Sequence, residues 1–498
     1  MKKKDSKSTS KIKVREIRLD TEQQEISTDR KRNTELVIVT YVFAFLFLLL
    51  VGWMIYLNTV KRDELNANVN NTKQDNVADN VIRGLIVTED GTQLAVTNVD
   101  SEGNETRYYP YENIFAHVIG YATNGKGGLE ASANHDLLTS HSSLLNQLKN
   151  SESGEKLQGD TLVVTLDPAL QQAAYYALGS YRGAVVVIEP DSGKILAMVS
   201  KPDFNPNTIA QDWDSMVTDE TNSALLNRAT QGLYPPGSTF KILTTLAYLR
   251  ENPDTWQSFS FDCNGSLSQE DVTITCYNGN VHGTEDLKTA FAHSCNTAFA
   301  HIGLELPGND FKKLAEKFLF NTSLPTGMQH SESIFQLNKD SSYGEQMTTA
   351  IGQGDTLVTP LHMALITSAV ANGGILMKPY YIQRVETCDG DTVSESKPSS
   401  YGELMSADEA EIISGFMRET VNSGTAAELG YSSYSAAGKT GSAEYETNGV
   451  TGTHSWFVGF SNVEDPDIVV AVIAEDGGTG SQTAVPIAKA VFDAYYYG

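Results

Sequence analysis

From Leu36 to Leu57 the chain carries no charged residue, and its centre, Phe43-Ala44-Phe45-Leu46-Phe47-Leu48-Leu49-Leu50-Val51, is apolar throughout. In hydrocarbon every backbone N–H and C=O must be satisfied within the segment, so such a run is a helix. At its rise per residue it spans roughly 30 Å, one bilayer core. Trp53 and Tyr56 near its far end suit a membrane–water interface. The run is too long for the apolar part of a secretory signal. Leu57-Asn58-Thr59-Val60-Lys61 also offers no small-residue cleavage pattern. A buried core helix is the competing reading. Eleven Lys and Arg residues precede Leu36, and basic flanks stay on the cytoplasmic side. The expectation is an uncleaved single-span anchor at 36–57, a disordered cytoplasmic arm at 1–35, and everything after it outside.

That remainder is acidic, because the 498-residue chain has a formal net charge of −26 despite its basic arm. Nucleic acid is held by basic surfaces, so it is excluded as a partner. The four cysteines, Cys263, Cys276, Cys295 and Cys388, form no C-x-x-C pair, and no H-E-x-x-H occurs, so no metal site is expected. Cys263 and Cys276 read equally well as a disulfide in an oxidising compartment or as two free thiols. Cys295, in an apolar context, reads as core.

Residues 58–82 are Asn-rich and read as a linker. Arg83–Thr88 and Gln93–Val96 flank an Asp90-Gly91 turn, a hairpin signal, within a small accessory domain at 83–160. Asp167-Pro168 opens a helix, with Asp as cap and Pro at the first position. Ala184–Ile188 and Lys194–Val199 flank the turn Pro190-Asp191-Ser192-Gly193 as a second hairpin. Residues 285–304 read as helical, capped by Thr284. Trp456–Phe460 and Ile468–Ile473 read as buried strands, and Ile487–Phe492 as an amphipathic helix. Strands thus lie at both ends of residues 166–498 with a mainly helical insert between them. The fold class predicted is α+β, an antiparallel sheet flanked by helices plus a mainly helical subdomain.

The stretch Leu233-Tyr234-Pro235-Pro236-Gly237-Ser238-Thr239-Phe240-Lys241 carries the sharpest chemistry. Its prolines and glycine punctuate the backbone, and Phe240, Ile242, Leu243, Leu246, Ala247 and Leu249 then follow at helical spacing on all sides, as in a buried helix. Lys241 is the only charge between Leu233 and Leu249. An ammonium buried there pairs or loses its proton. Ser238, three residues earlier, shares its face and sits at a helix start, where free N–H groups can hold an oxyanion. A serine, an amine of lowered pKa and an anion site together make an activated acyl-transfer nucleophile. A serine cap beside a snorkelling lysine is the bland alternative.

Two further stretches join it. His293-Ser294-Cys295-Asn296-Thr297 interrupts a helical pattern with a hydroxyl and an amide two residues apart. Gly438-Lys439-Thr440-Gly441-Ser442 puts a lysine and two hydroxyls on a glycine-flanked strand, where a ligand can approach closely. Gly438-Lys439-Thr440 is not half a phosphate loop, since the first glycine that loop requires is Ser433. Gly352-Gln353-Gly354-Asp355 reads as a tight structural loop.

Ser-x-x-Lys, Ser-x-Asn and Lys-Thr-Gly in that order form a motif set of penicillin-binding proteins and β-lactamases. The sequence resembles a class B penicillin-binding protein, a monofunctional peptidoglycan D,D-transpeptidase, from the anchor to the C-terminus. Arg83-Gly84, Asp90-Gly91, His117–Tyr121 and Gly128-Leu129-Glu130 resemble that family's non-catalytic pedestal. Gly193–Met198, His282-Gly283, Gly352-Gln353-Gly354 and Asn372-Gly373-Gly374 resemble recurring parts of its transpeptidase domain. Ser442 stands where threonine is usual, and the hydroxyl remains. The resemblance implies a pedestal at 83–160 and a penicillin-binding transpeptidase fold at 166–498.

The resemblance also implies roles. Ser238 attacks a D-Ala-D-Ala stem peptide, Lys241 is the acylation base, Ser294 relays a proton, and Asn296 holds the donor amide and Lys241. Lys439 and Thr440 bind the terminal carboxylate, beside Gly441. The backbone N–H groups of Ser238 and Ser442 form the oxyanion hole. Peptidoglycan stem peptides and β-lactams are the implied ligands and a membrane glycan polymerase the implied partner; no cofactor is implied. A β-lactamase would deacylate with water, a β-lactam sensor would need more spans or a cytoplasmic domain than residues 1–35 supply, and a scaffold would tolerate loss of Ser238.

Overall fold

The computed structural model describes residues 6–59, 80–143, 155–219, 221–447 and 449–498. The chain divides into two compact units, 1–66 and 67–498. Most of the expected linker at 58–82 lies outside the described residues.

The first unit holds one helix, α1 (Ser6–Thr59). Its segment Asn33–Leu57 is long and apolar enough to cross a membrane, and none of the most apolar stretch is buried. The basic arm, expected to be disordered, continues this helix back to Ser6. Lys, Arg, Glu and Gln are good helix formers, and extending a nucleated helix is far easier than starting one.

In the second unit the predicted hairpin forms from β1 (Ile86–Thr88) and β2 (Gln93–Val99), and β3 (Glu105–Tyr108) follows. Beneath them Glu130, fully buried, accepts from Arg107 at 2.7 Å and also from Arg83. A buried carboxylate needs such partners. After β4 (Thr161–Val164), Asp167 caps α2 (Pro168–Leu178) by accepting from the amides of Ala169 and Leu170 at 2.8 and 3.0 Å. The hairpin β5 (Gly183–Ile188) and β6 (Ile195–Lys201) comes next.

The helical region begins with a 3-10 turn, Gly237–Phe240, that runs into α3 (Lys241–Glu251). The helical stretch predicted over 285–304 is two helices, parted at the interruption read in His293–Thr297. Thr284 lies in a short strand, Gly283–Glu285, and Asp286 caps α4 (Leu287–Ala292) in a capping box with Thr289. His293–Cys295 break the helix, and α5 (Asn296–Glu305) follows. Asp is the stronger cap, and Thr284 is drawn into pairing with Asp262. Beyond them lies α6 (Pro360–Ala371), apolar all round and buried, capped by Thr359.

The chain then forms β7 (Ile382–Glu386), β8 (Thr392–Glu395) and α7 (Ala407–Asn422). The hairpin β9 (Ala436–Thr447) and β10 (Val450–Ser461), then β11 (Ile468–Ala474) and α8 (Ala484–Tyr497), complete it.

Two sheets organise the unit. One is six-stranded in the order β8-β7-β4-β1-β2-β3, so the late strands β7 and β8 pair onto the accessory region. The other is antiparallel and five-stranded, β9-β10-β11-β5-β6. It is covered on both faces, which explains why β5 and β11 are buried at every residue rather than alternating. Val185, Val187, Val470 and Val472 pack with Leu170, Ala174, Ala488 and Phe492 of α2 and α8. Val186, Ile188, Ala471 and Ile473 join the main core with Leu361 and Leu365 of α6. Strand β9 is left at the edge, beside the 3-10 turn that bears Ser238.

Candidate active site

The Ser238 turn is fixed by its neighbours. Gly237 donates to Gly352 O at 2.8 Å, Thr239 Oγ1 to Pro236 O at 2.7 Å, and the Trp456 indole to Pro235 O at 3.0 Å. Gly352 has φ +74°, and a Cβ there would fall 2.1 Å from Gly237 O. This loop, read as structural from sequence, therefore seats the serine turn. A Cβ on Gly441 would meet Trp456 Cβ at 2.9 Å and Pro236 O at 3.1 Å, so glycine is what lets β9 lie against the turn. In a 3-10 turn, residues three apart eclipse, so half-buried Ser238 stands over Lys241.

Lys241 is fully buried. Its Nζ donates to Ser294 O at 2.9 Å and Asn296 Oδ1 at 2.8 Å, with Ser294 Oγ at 3.3 Å. Burial lowers its pKa to about 7. A neutral amine has two hydrogens, and two carbonyl acceptors engage them here. Its lone pair is then left for a hydroxyl proton. Among the described residues Lys241 Nζ makes no hydrogen bond to Ser238 Oγ, an arrangement that commonly tightens only when substrate binds.

Ser294 sits in the break between α4 and α5 at φ +59°, a left-handed conformation rare for a non-glycine residue. That backbone turn aims both its carbonyl and its hydroxyl at lysines. Lys439 Nζ, also fully buried, donates to Ser294 Oγ at 2.9 Å and to Thr440 O at 3.1 Å. Burial first, and then the neighbouring Lys241 charge, push the Lys439 pKa well below its ordinary value. Asn296 Nδ2 donates to Thr275 O at 3.0 Å, which fixes the amide so that its oxygen faces Lys241. On β9, Ser442 Oγ accepts from Gly480 N at 3.3 Å.

All three sequence motifs thus meet at one place. Lys241, Ser294, Asn296 and Lys439 are joined by hydrogen bonds, while Ser238, Thr440, Gly441 and Ser442 line the seam between the turn and β9. Sequence reasoning missed Thr425, whose hydroxyl hydrogen-bonds that of Thr440; no spacing signals it. It also missed Glu475, which pairs with Arg228 at 2.7 Å and Arg182 at 2.9 Å and accepts from Tyr234 OH at 2.8 Å. That network anchors the start of the Tyr234–Lys241 stretch. Cys263, Cys276, Cys295 and His282 form a tight cluster beside the Ser294 turn, where no metal site was expected. The pattern Cys-x12-Cys-x5-His-x12-Cys was the available signal.

The chain matches the penicillin binding protein transpeptidase domain over residues 183–493 and the penicillin binding protein A dimerisation domain over 83–162. It is 34% identical over 434 residues to the peptidoglycan D,D-transpeptidase PbpA of Mycolicibacterium smegmatis, spanning 81% of this chain and 87% of that protein. Its structure resembles the ceftriaxone acyl-enzyme complex of penicillin-binding protein A from M. tuberculosis, with TM-score 0.78 and 30% identity over 85% of this chain and all of that one. It also resembles the D,D-transpeptidase domain of a peptidoglycan glycosyltransferase from Eggerthella lenta, with TM-score 0.76 and 31% identity over 84% of this chain and 99% of that one. On these matches the chain belongs to the class B penicillin-binding proteins, the peptidoglycan D,D-transpeptidases.

Proposed function

We propose that this transpeptidase works through Ser238 with Lys241 as its base. The observation that carries the reading is the convergence of Lys241 and Lys439 on Ser294 Oγ, beside the Ser238 turn. Ser238 Oγ bonds to the carbonyl carbon of the penultimate D-Ala of a stem peptide as its proton passes to Lys241. The oxyanion is held by the N–H groups of Ser238 and Ser442. Ser294 delivers its proton to the departing D-Ala nitrogen as the peptide C–N bond breaks, and takes in its place the proton that Lys241 received from Ser238. An amine of a second stem then attacks the ester, forming the cross-link and returning the proton to Ser238. Lys439 and Thr440 hold the terminal carboxylate, Gly441 lets the strand lie close, and Asn296 grips the donor's amide. β-Lactams enter the same path and acylate Ser238. Residues 36–57 anchor the enzyme with 1–35 in the cytoplasm and 166–498 outside. Residues 83–160 form a pedestal that meets a membrane glycan polymerase.

The test is a short pulse of penicillin followed by mass spectrometry over hours. The expected result is a lasting adduct on the peptide holding Ser238, absent in Ser238→Ala, together with cross-linked dimers from stem peptide and an amine acceptor. Rapid return to the unmodified mass with steady drug consumption would establish a β-lactamase. A lasting adduct without dimers would establish a sensor or scaffold.

A further inference from the structure

Residues 261–286 form two small hairpins, Phe261–Cys263 with Gly283–Glu285 and Ser266–Gln269 with Val272–Thr275, laid against α5. Ile274 is the only apolar side chain buried there besides the cysteines. Isolated two-stranded hairpins are marginal in water, and modules with too little core are commonly stapled by a disulfide or a metal. Here the buried interior is Cys263, Cys276 and, from the Ser294 turn, Cys295, with half-buried His282 beside them.

Their geometry separates the two kinds of staple. Cys276 Sγ lies 3.7 Å from Cys263 Sγ and 3.8 Å from Cys295 Sγ, and His282 Nδ1 lies 3.4 Å from Cys263 Sγ. All four atoms fall within 4.8 Å of one another. A tetrahedral ion with ordinary zinc–sulfur and zinc–nitrogen bonds sets S···S edges at about 3.8 Å and S···N edges at about 3.5 Å. A disulfide would join two sulfurs at ~2.05 Å and leave the third thiol and the imidazole unused. We propose that Cys263, Cys276, His282 and Cys295 form a closed structural zinc site that fixes the Ser294-Cys295-Asn296 turn.

Three thiolates and one imidazole are a zinc donor set, and four protein ligands leave no open position for water or substrate. Buried Thr297 donates to Cys263 Sγ at 3.1 Å and sits 3.5 and 3.3 Å from Cys276 and Cys295 Sγ, a hydroxyl placed to orient the sulfurs. The ion would hold the Lys241 cradle from both sides. Cys295 lies between Ser294 and Asn296, and Cys276 follows Thr275, whose carbonyl fixes the Asn296 amide. The four ligands are positioning residues, since none touches the reacting atoms.

The test uses the full chain purified in detergent without chelator. Elemental analysis should find one zinc per chain, lost in Cys276→Ser and His282→Ala and kept in Cys388→Ser. Replacement by Co2+ should give thiolate-to-cobalt charge transfer in the near ultraviolet and tetrahedral visible bands. If the serine variant fails to fold, His282→Cys, which restores four ligands, should retain zinc. Wild-type protein with neither zinc nor cobalt bands, or a peptide map containing a Cys263–Cys276 disulfide, would overturn the site. Chelation should slow labelling of Ser238 by fluorescent penicillin at least ~tenfold, reversed by added Zn2+. Unchanged labelling of zinc-free protein would overturn the positioning role. Metal content and labelling are separate readouts, so failure of the Ser238 chemistry remains distinguishable from failure of the site.

Discussion

Lys241 and Lys439 share one hydroxyl: their Nζ atoms lie 3.3 and 2.9 Å from Ser294 Oγ, and both side chains are fully buried. Two ammonium groups so close in a desolvated site repel, so the pair favours the loss of a proton. Burial is what brings Lys241, ordinarily cationic, to a pKa of about 7, and the Lys241 charge adds to burial in pushing Lys439 down. The pair also leaves a partly uncompensated positive site for an arriving carboxylate.

The first consequence concerns pH. Lys241 is protonated, and useless as a base, below a pKa of about 7. The acylation rate should therefore rise with pH through neutrality and level off above it, as stopped-flow penicillin binding would record. Lys241→Arg, which keeps its proton at any working pH, should lose ~10²-fold or more in acylation with its circular dichroism unchanged. A flat pH profile would remove Lys241 from the role.

Substrate charge gives a second outcome. Lys439 regains its proton most readily opposite an anion. A β-lactam whose carboxylate is esterified should acylate roughly 10–100-fold more slowly, the worth of one charge-assisted hydrogen bond. Equal rates for acid and ester would place the carboxylate elsewhere.

At Ser294 the hydroxyl and the backbone can be separated. Ser294→Ala keeps a side chain at φ +59°, whereas Ser294→Gly relieves roughly 1–2 kcal/mol of left-handed strain. Both should lose acylation alike, and the glycine variant should melt at the higher temperature. Retained acylation in either would show that the hydroxyl is dispensable.

Gly352→Ala should destabilise the domain by about 3 kcal/mol, through left-handed strain and overpacking against Gly237 O. Urea titration measures this directly. Little change in midpoint would mean that the Ser238 turn does not need this support.

Orientation is tested by adding protease to intact wall-stripped cells. Eleven basic residues before Leu36 should keep the arm inside. The 166–498 region should be digested and residues 1–35 protected; the reverse pattern would invert the topology.

The sequence by itself determined whatever depends on local pattern. The uncharged run at 36–57, the Asp167-Pro168 cap, the β5–β6 hairpin and the burial of Lys241 all follow from charge, turn chemistry and apolar spacing. The three motifs marked the residues that the fold brings together around Lys241. What only the tertiary structure decided are relations between segments far apart in the chain. These include the pairing of β7 and β8 onto the early strands, Glu475 anchoring Tyr234, Gly352 supporting Gly237, and three cysteines meeting one histidine. The sequence showed an interruption at His293–Thr297, but the start of the first helix belongs there too. Residues 285–304 read as helical with Thr284 as cap, but pairing of Thr284 with Asp262 moves the cap to Asp286, and the left-handed Ser294 ends α4 at the interruption. Local propensity contributes tenths of a kcal/mol per residue and is overridden wherever long-range packing and hydrogen bonding offer more.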